Sequence, residues 1–114
     1  MKKQVMLPTA IADVDREAFG IAEYAGQDAG LRFYAACDDT FVRLATDPDI
    51  GKVWPFEHPK LANLRAWQVK EFSDYLVFDR SLRDQVEILK VINGSRDLEP
   101  FSVINLGRER DLDV

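Results

Sequence analysis

Two apolar runs in the second half of the chain decide the fold: YLVFDR at residues 75–80 and VEILKVI at residues 86–92. Both are rich in aromatic and β-branched side chains, which are typical of β-strands. Five residues, 81–85, separate them, so the two strands are expected to be antiparallel neighbours. The second run has apolar residues on both faces, which indicates a strand in the middle of a sheet. Asn93 and Gly94 are turn residues and end it.

A third strand is predicted just upstream of these runs. Residues 64–69 form another apolar run, and the segment 70–74 links it to the next strand. Before about Leu61 the pattern changes, because Asp47–Gly51 and two prolines predict irregular chain. The three strands therefore form one antiparallel unit.

The start of the chain predicts a short strand followed by a helix. Gln4–Leu7 is an apolar run ended by Pro8, and it is expected to be an edge strand. Thr9 is the expected N-cap of the helix, and apolar residues then recur at helical spacing. Gly26 can take the conformation that ends a helix.

A second helix is predicted over about residues 29–45, with Asp28 as its cap. Because residues 26–28 alone separate the helices, an antiparallel helical hairpin is expected. The fold class is α+β, with the order β-α-α-β-β-β and the hairpin on one face of a mostly antiparallel four-stranded sheet. The residues expected in or near the core are Val5, Leu7, Ile11, Val14, Ala18, Phe33, Phe41, Leu44, Phe78 and Leu89.

The composition limits what the chain can do. A chain of 114 residues with 46% hydrophobic residues is one domain with a core. No run approaches the roughly 18 apolar residues of a membrane span, and the N-terminus lacks the apolar stretch of a signal peptide. A cytoplasmic protein without membrane contact is therefore expected. The net charge of −5 argues against general nucleic-acid binding and direct DNA binding.

The sequence contains no pattern for a metal or a cofactor, and none is expected. Cys37 is the single cysteine, and its apolar helical surroundings predict a buried structural thiol. His58 has no second histidine or cysteine at ligand spacing, which favours a surface position. Trp67 is assigned to the core, whereas Trp54 and Phe56 are left open between the core and a partner surface.

The decisive runs and the residues after them resemble the C-terminal half of RelE/ParE toxins of type II toxin–antitoxin systems. The pattern there is Tyr-Leu-Ile-Phe-Tyr-Arg, a turn, and Val-Glu-Ile-Leu-Arg-Val-Leu-His-Gly-x-Arg-Asp. Residues 41–51 and 61–65 are similar to the end of that family's second helix and the start of its next strand. The resemblance implies one toxin domain, residues 1–97, followed by an acidic extension, residues 98–114. Within the extension, residues 101–106 are expected to form a short helix or strand.

Three departures from that pattern bear on activity. Asp79, Lys90 and Asn93 stand where the pattern has Tyr, Arg and His, whereas the matching residues are Arg65, Arg80, Arg96 and Asp97. The exchanges remove two groups able to stack on a base or exchange a proton. They favour the ParE-like branch, plasmid stabilisation proteins that by this resemblance bind DNA gyrase, inhibit growth and are neutralised by a cognate antitoxin.

A RelE-like endoribonuclease, which would cut mRNA on the ribosome, is the alternative. Arg65, Arg80 and Lys90 lie on consecutive predicted strands and could converge as phosphate clamps, with Glu71 or Glu87 as the base. The interpretation favoured for these charges is that they are solvated and pair across the strands. A degenerate member without toxicity is the third possibility, because this chain is acidic and toxins of the family are usually basic.

A surface for the target or for a partner is also predicted. Its expected residues are Trp54, Phe56, Arg80, Lys90, Asn93 and Arg96. Arg96 and Asp97 are expected to tie down the chain that leaves the sheet, and an exposed functional Arg96 is the alternative. An antitoxin segment is expected to cover apolar surface and to bring Lys or Arg to contact Asp38, Asp39 or Glu23.

Overall fold

The computed structural model describes residues 1–54 and 63–96. Its elements are β1 (Lys3–Met6), α1 (Pro8–Ala25), α2 (Gln27–Thr46), β2 (Lys52–Val53), β3 (Arg65–Val69), β4 (Phe72–Ser81) and β5 (Gln85–Asn93). The five strands form one sheet in the order β1-β5-β4-β3-β2. β1 runs parallel to β5, and the other described pairs are antiparallel. The α+β fold with a helical hairpin is confirmed, with the two-residue strand β2 added to the four predicted strands.

The helix ends differ in part from the predictions. Leu7, not Thr9, is the N-cap residue of α1, and Pro8 lies in its first turn. Proline suits that place because the missing N–H would have no helical partner there. Gly26 ends α1 as predicted, with a φ of 102°. It also directly precedes α2, so Asp28 lies in the first turn of α2 and does not cap it.

The strand β4 is longer than predicted. It begins at Phe72, so the turn after β3 is only Lys70-Glu71 and not the segment 70–74. Glu71 has a φ of 67°, which a tight hairpin turn requires. β5 lies in the interior of the sheet, between β1 and β4, as its two apolar faces predicted.

The main core lies between the helical hairpin and the sheet. Six of the predicted core residues are buried: Val14, Ala18, Phe33, Phe41, Leu44 and Phe78. Val5, Leu7 and Leu89 are half-buried. Cys37 is buried as predicted, and burial raises the pKa of its thiol to about 12.

Two core predictions are wrong. Ile11 is 48% exposed, because the side of α1 that faces the sheet includes Asp13 and Glu17, which are buried. Trp67 is 37% exposed, because β3 lies near the edge of the sheet and α2 covers it only in part. In both cases the residue type suggested burial, and the position relative to the other layer decided against it.

A smaller cluster lies on the sheet face opposite the helices. Ala66, Phe78 and Ile92 are its buried members. Trp54, which is half-buried, packs edge-on against Phe78 with ring centroids 5.4 Å apart.

Neither helix in the described part of the chain is long and apolar enough to cross a membrane. The predictions for Phe56, His58 and residues 98–114 lie outside the described residues.

Candidate functional site

On the edge of β5 that pairs with β1, only the first half of the strand has a strand neighbour, and the second half is bordered by α1. The pairing of β1 with β5 ends at Ile88. Beyond that point, the Thr9 hydroxyl donates to the Leu89 carbonyl at 2.8 Å, and the Asp13 carboxylate accepts from the Val91 N–H at 3.0 Å. A buried backbone group without a partner costs about 1–3 kcal/mol, so these side chains fix α1 against β5.

A bulge in β5 lies at the same place. The register with β4 changes between Phe78 and Asp79, and Leu89 is skipped. An extra residue of this kind redirects the side chains that follow it. Lys90 is in register with Phe78, on the face opposite the helices, and its side chain reaches α1 beyond the end of β1, with its Nζ 3.1 Å from Asp13. An ion pair therefore joins β5 to α1 at the position of the family pattern that Lys90 occupies.

Lys90 belongs to a chain of ion pairs, called here the α1 ion-pair network, formed by Asp13, Arg16, Glu17, Lys90 and Arg96. Arg16 Nη2 lies 3.0 Å from Asp13 and 3.5 Å from Glu17, and Arg96 Nη2 lies 2.9 Å from Glu17. The two carboxylate side chains are only 2% and 6% exposed, whereas both guanidinium side chains are more than half exposed. Two buried negative charges are therefore stabilised by three cations.

The electrostatics of Arg16 reflect this arrangement. Partial burial lowers the pKa of Arg16, but the hydrogen bonds and the negative charges of Asp13 and Glu17 outweigh this effect and raise it above its ordinary value. The network was missed at the sequence level. Its signal was the pair of acids one helical turn apart, on the same side of α1 as the buried Val14 and Ala18.

Asn93 holds the turn that follows β5. Its Oδ1 accepts hydrogen bonds from the Ser95 N–H, the Ser95 hydroxyl and the Arg96 N–H at 3.1, 2.7 and 3.2 Å. Burial raises the pKa of the nearby Tyr75 hydroxyl, and the Asn93 side chain lowers it only in part. Asn93 therefore positions Arg96, and Arg96 in turn reaches Glu17. Asp97 lies outside the described residues.

Arg65 lies away from this network. Its Nη1 donates to the Gly51 carbonyl at 2.7 Å, and its Nη2 lies 3.6 Å from an Asp49 carboxylate oxygen that is well exposed. Arg65 therefore ties β3 to the segment between α2 and β2.

The structure does not bring Arg65, Arg80 and Lys90 together, which corrects the predicted convergence. Arg80 pairs in register with Glu87 and follows a residue on the helix side, so it lies on the opposite face of the sheet. Lys90 is in register with Phe78 on that same opposite face, and its side chain reaches Asp13 of α1. Arg65, in register with Asp79, lies on the helix side, so the three cations do not share one face of the sheet.

Asp79 is the most unusual polar residue of the sheet. It is fully buried, and neither carboxylate oxygen has a hydrogen-bond partner among the described residues. Burial raises the pKa of Asp79 to about 7, and the positive charge of Arg65 lowers it only in part. The sequence contains one indication that this position is unusual, since the family pattern has Tyr where this chain has Asp79.

An open groove of about 720 Å³ runs between α2 and β3. Val42 and Trp67 are its exposed apolar residues, and Arg43 lines it beside them. At the groove's end, Lys70 and Asp39 form a solvent-exposed ion pair at 3.5 Å. In residues 1–54 and 63–96, no group of three or more His, Cys, Asp and Glu side chains is placed to hold a metal ion.

Comparison with known proteins identifies the family. Residues 5–98 match the family model for the ParE toxin of type II toxin–antitoxin system, parDE. The chain belongs to the ParE toxin family. Lys90, Asn93 and Arg96 occupy positions of the family pattern in this chain, and the structure places them in or beside the α1 ion-pair network.

A solved structure supports the fold of this ParE toxin. The chromosomal ParDE TA system from P. aeruginosa is similar with a TM-score of 0.67 and 17% identity, covering 82% of this chain and 96% of that chain. At this identity the likeness shows a shared fold. Among curated proteins, no sequence matches this chain.

Proposed function

We propose that this chain is a growth-inhibiting toxin that binds DNA gyrase and is neutralised by a cognate antitoxin. Membership of the ParE toxin family supports a toxin, and the α1 ion-pair network is the observation that favours action by protein contact. Lys90 and Arg96 are engaged by buried carboxylates, with Lys90 Nζ 3.1 Å from Asp13 and Arg96 2.9 Å from Glu17. Inhibition through protein–protein contact needs no catalytic groups.

The state of the motif residues argues against a RelE-like ribonuclease. Cleavage by a ribose hydroxyl needs cations that converge on the phosphate and a group that exchanges a proton. Lys90 has a side chain only 19% exposed and is paired with Asp13, whereas Arg65 lies on the other face of the sheet from Arg80 and Lys90. Asn93 uses its side-chain oxygen to hold a turn. These contacts favour a structural role for the motif.

The outer side of the helical hairpin supports an antitoxin contact. The exposed large apolar residues there are Ile11, Phe19, Tyr24, Leu31 and Tyr34. Exposed acids lie among them, including Glu23, Asp38 and Asp39. Exposed apolar surface commonly marks a binding site, and acids beside it favour a partner with Lys or Arg at the rim. We therefore place the antitoxin on this surface.

The site of action follows from the proposed target. A gyrase inhibitor acts in the cytoplasm, and a toxin–antitoxin pair of this kind can stabilise a plasmid that carries it. The remaining candidates for the target surface are Trp54, Arg80 and Phe56. Of these, Trp54 and Arg80 are half-buried and leave part of their side chains accessible.

The test compares two purified targets. The toxin should inhibit DNA supercoiling by gyrase and leave a cell-free translation reaction unaffected, and added antitoxin should restore supercoiling. In cells, regulated expression should induce the DNA-damage response without loss of mRNA. Translation arrest with active gyrase would instead identify a ribosome-dependent ribonuclease. No effect in either assay, and normal growth on expression, would indicate a non-toxic member.

A further inference from the structure

Asp79 is a buried carboxyl group in the middle of the three antiparallel strands. Its register partners are Arg65 on β3 and Ile88 on β5. The side chain is fully buried, and within the described residues both of its oxygens lack a hydrogen-bond partner. An ionised carboxylate in such a place is strongly disfavoured, so this arrangement suits the neutral acid.

Arg65 holds the neighbouring segment through backbone carbonyl groups. Its Nη1 donates to Gly51 at 2.7 Å and more weakly to Asp49 at 3.4 Å. The segment lies directly against β3, since a Cβ on Gly51 would come within 3.0 Å of the Arg65 Cβ and 3.2 Å of the Ala66 carbonyl oxygen. The hydrogen bonds of Arg65 therefore decide how firmly this segment is seated.

The seated segment leads directly into β2 and Trp54. The Trp54 N–H donates to the Leu64 carbonyl oxygen at 2.7 Å, and its ring packs on Phe78. A loss of the Arg65 contacts would consequently be felt at Trp54, on the opposite face of the sheet.

The other charged groups near Asp79 are engaged elsewhere or lie on the far side. On β4 and β5, Arg80 and Glu87 pair in register on the opposite face. From α1, Asp13 holds Lys90. On α2, Arg43 lines the outer groove. Among the described residues, Arg65 is the charged group that acts on the Asp79 pKa.

A small movement of Arg65 is enough to reach Asp79. Residues opposite each other in an antiparallel pair have Cβ atoms about 4.5–5.5 Å apart, which is shorter than an extended arginine side chain. A guanidinium can donate two hydrogen bonds to one carboxylate. Rotation of the Arg65 side chain would thus satisfy an ionised Asp79 at the expense of the two carbonyl groups.

We propose that Asp79 and Arg65 form a proton-controlled latch on the segment between α2 and β2. When Asp79 releases its proton to solvent, Arg65 leaves the carbonyl groups of Asp49 and Gly51 to pair with the carboxylate, and the segment loosens. Because burial raises the pKa of Asp79 to about 7, the change falls near neutral pH. The latch is independent of which target the toxin binds.

The experiment follows Trp54 and Asp79 separately during a pH titration. Trp67→Phe leaves Trp54 as the single tryptophan, and its fluorescence reports on the segment. The side-chain ¹³C shift of Asp79 reports on its protonation. We expect both signals to change with a common midpoint at about pH 7, the Trp54 emission moving to longer wavelength. Titration of Asp79 without any change at Trp54 would overturn the latch.

Three further variants, each in the Trp67→Phe background, separate the latch from other titrating groups. An ordinary histidine titrates near neutral pH and His58 lies close to Trp54 in sequence, so His58→Gln is the control and should keep the transition. Asp79→Asn should abolish it. Arg65→Gln should give the long-wavelength emission at every pH, with the Asp79 midpoint moved upwards because a nearby cation is lost. A transition that survives in Asp79→Asn or in Arg65→Gln would refute the proposal.

Discussion

The Nζ atom of Lys90 lies 3.1 Å from the carboxylate of Asp13 and so joins the last strand to the first helix across 77 residues of chain. The same carboxylate accepts a hydrogen bond from the Val91 N–H. The Asp13 side chain thus pairs with the Lys90 charge and with a backbone N–H at the edge of β5. Removing one partner of a buried ion pair leaves an uncompensated charge, which is more damaging than the loss of an exposed pair.

Lys90→Ala should therefore lower the free energy of unfolding by about 3–5 kcal/mol. Arg16→Ala is the matched control, because Arg16 binds the same carboxylate but is 59% exposed, and it should cost about 1 kcal/mol or less. Urea unfolding of the three proteins measures the difference. Equal midpoints for the two variants would show that Lys90 is not the main partner of Asp13.

The core position of Phe41 gives a second test. Phe41 is 4% exposed in the main core, so Phe41→Ala should cost about 3–5 kcal/mol through lost burial and a cavity. Phe19→Ala, at a position 75% exposed, should leave the unfolding midpoint nearly unchanged. An unchanged midpoint for Phe41→Ala would place that residue on the surface.

Stability should depend on pH through Asp79. In the unfolded chain this carboxyl ionises near the ordinary aspartate pKa of 3.8, whereas in the folded chain its pKa is about 7. The folded state thus binds more protons between these values, and its stability falls as the pH rises through that window. Each unit of pKa difference corresponds to about 1.4 kcal/mol. Between pH 4 and pH 8 the wild type should therefore lose a few kcal/mol of unfolding free energy that the Asp79→Asn variant keeps. Parallel pH profiles of urea unfolding for the two proteins would contradict this.

Nuclease activity should be absent without the ribosome. The purified protein is expected to leave naked RNA intact, because Arg65, Arg80 and Lys90 do not converge and the motif histidine is replaced by Asn93. Gel analysis of labelled RNA after long incubation is the measurement. Cleavage that disappears in a folded Lys90→Ala variant would reverse the conclusion.

Antitoxin binding should weaken as salt is added. The hairpin exposes acids beside its apolar residues, so attraction to a basic partner should be screened at high ionic strength. Titrations with the cognate antitoxin at low and high salt measure this. Trp54→Ala should lower the affinity if the antitoxin also covers the sheet face on which Trp54 packs. An affinity that does not change with salt concentration and is unaffected by Trp54→Ala would contradict both the attraction between charges and the contact at Trp54.

Much of the scaffold could be predicted from local pattern. The helical hairpin, the end of α1 at Gly26 and the interior position of β5 follow from periodicity and turn chemistry, which depend on residues close together in the chain. The element ends were less well predicted. Leu7 and Pro8 replaced Thr9 at the helix start, because several neighbouring residues can begin a helix.

The sequence by itself determined the order of the two helices and the four longer strands, most of the apolar residues that fill the core and the toxin family to which the chain belongs. The tertiary structure alone decided the partners of the charged residues. In the sequence Asp13 and Glu17 look like ordinary acids of a helix, but in the fold they are buried and pair with Lys90 and Arg96, which lie 77 and 79 residues further along the chain. Arg65 and Arg80 lie on neighbouring strands, yet alternation along those strands places them on different faces of the sheet. The physical reason is that periodicity records which face of an element is apolar, whereas charge pairing depends on register between residues far apart in the chain.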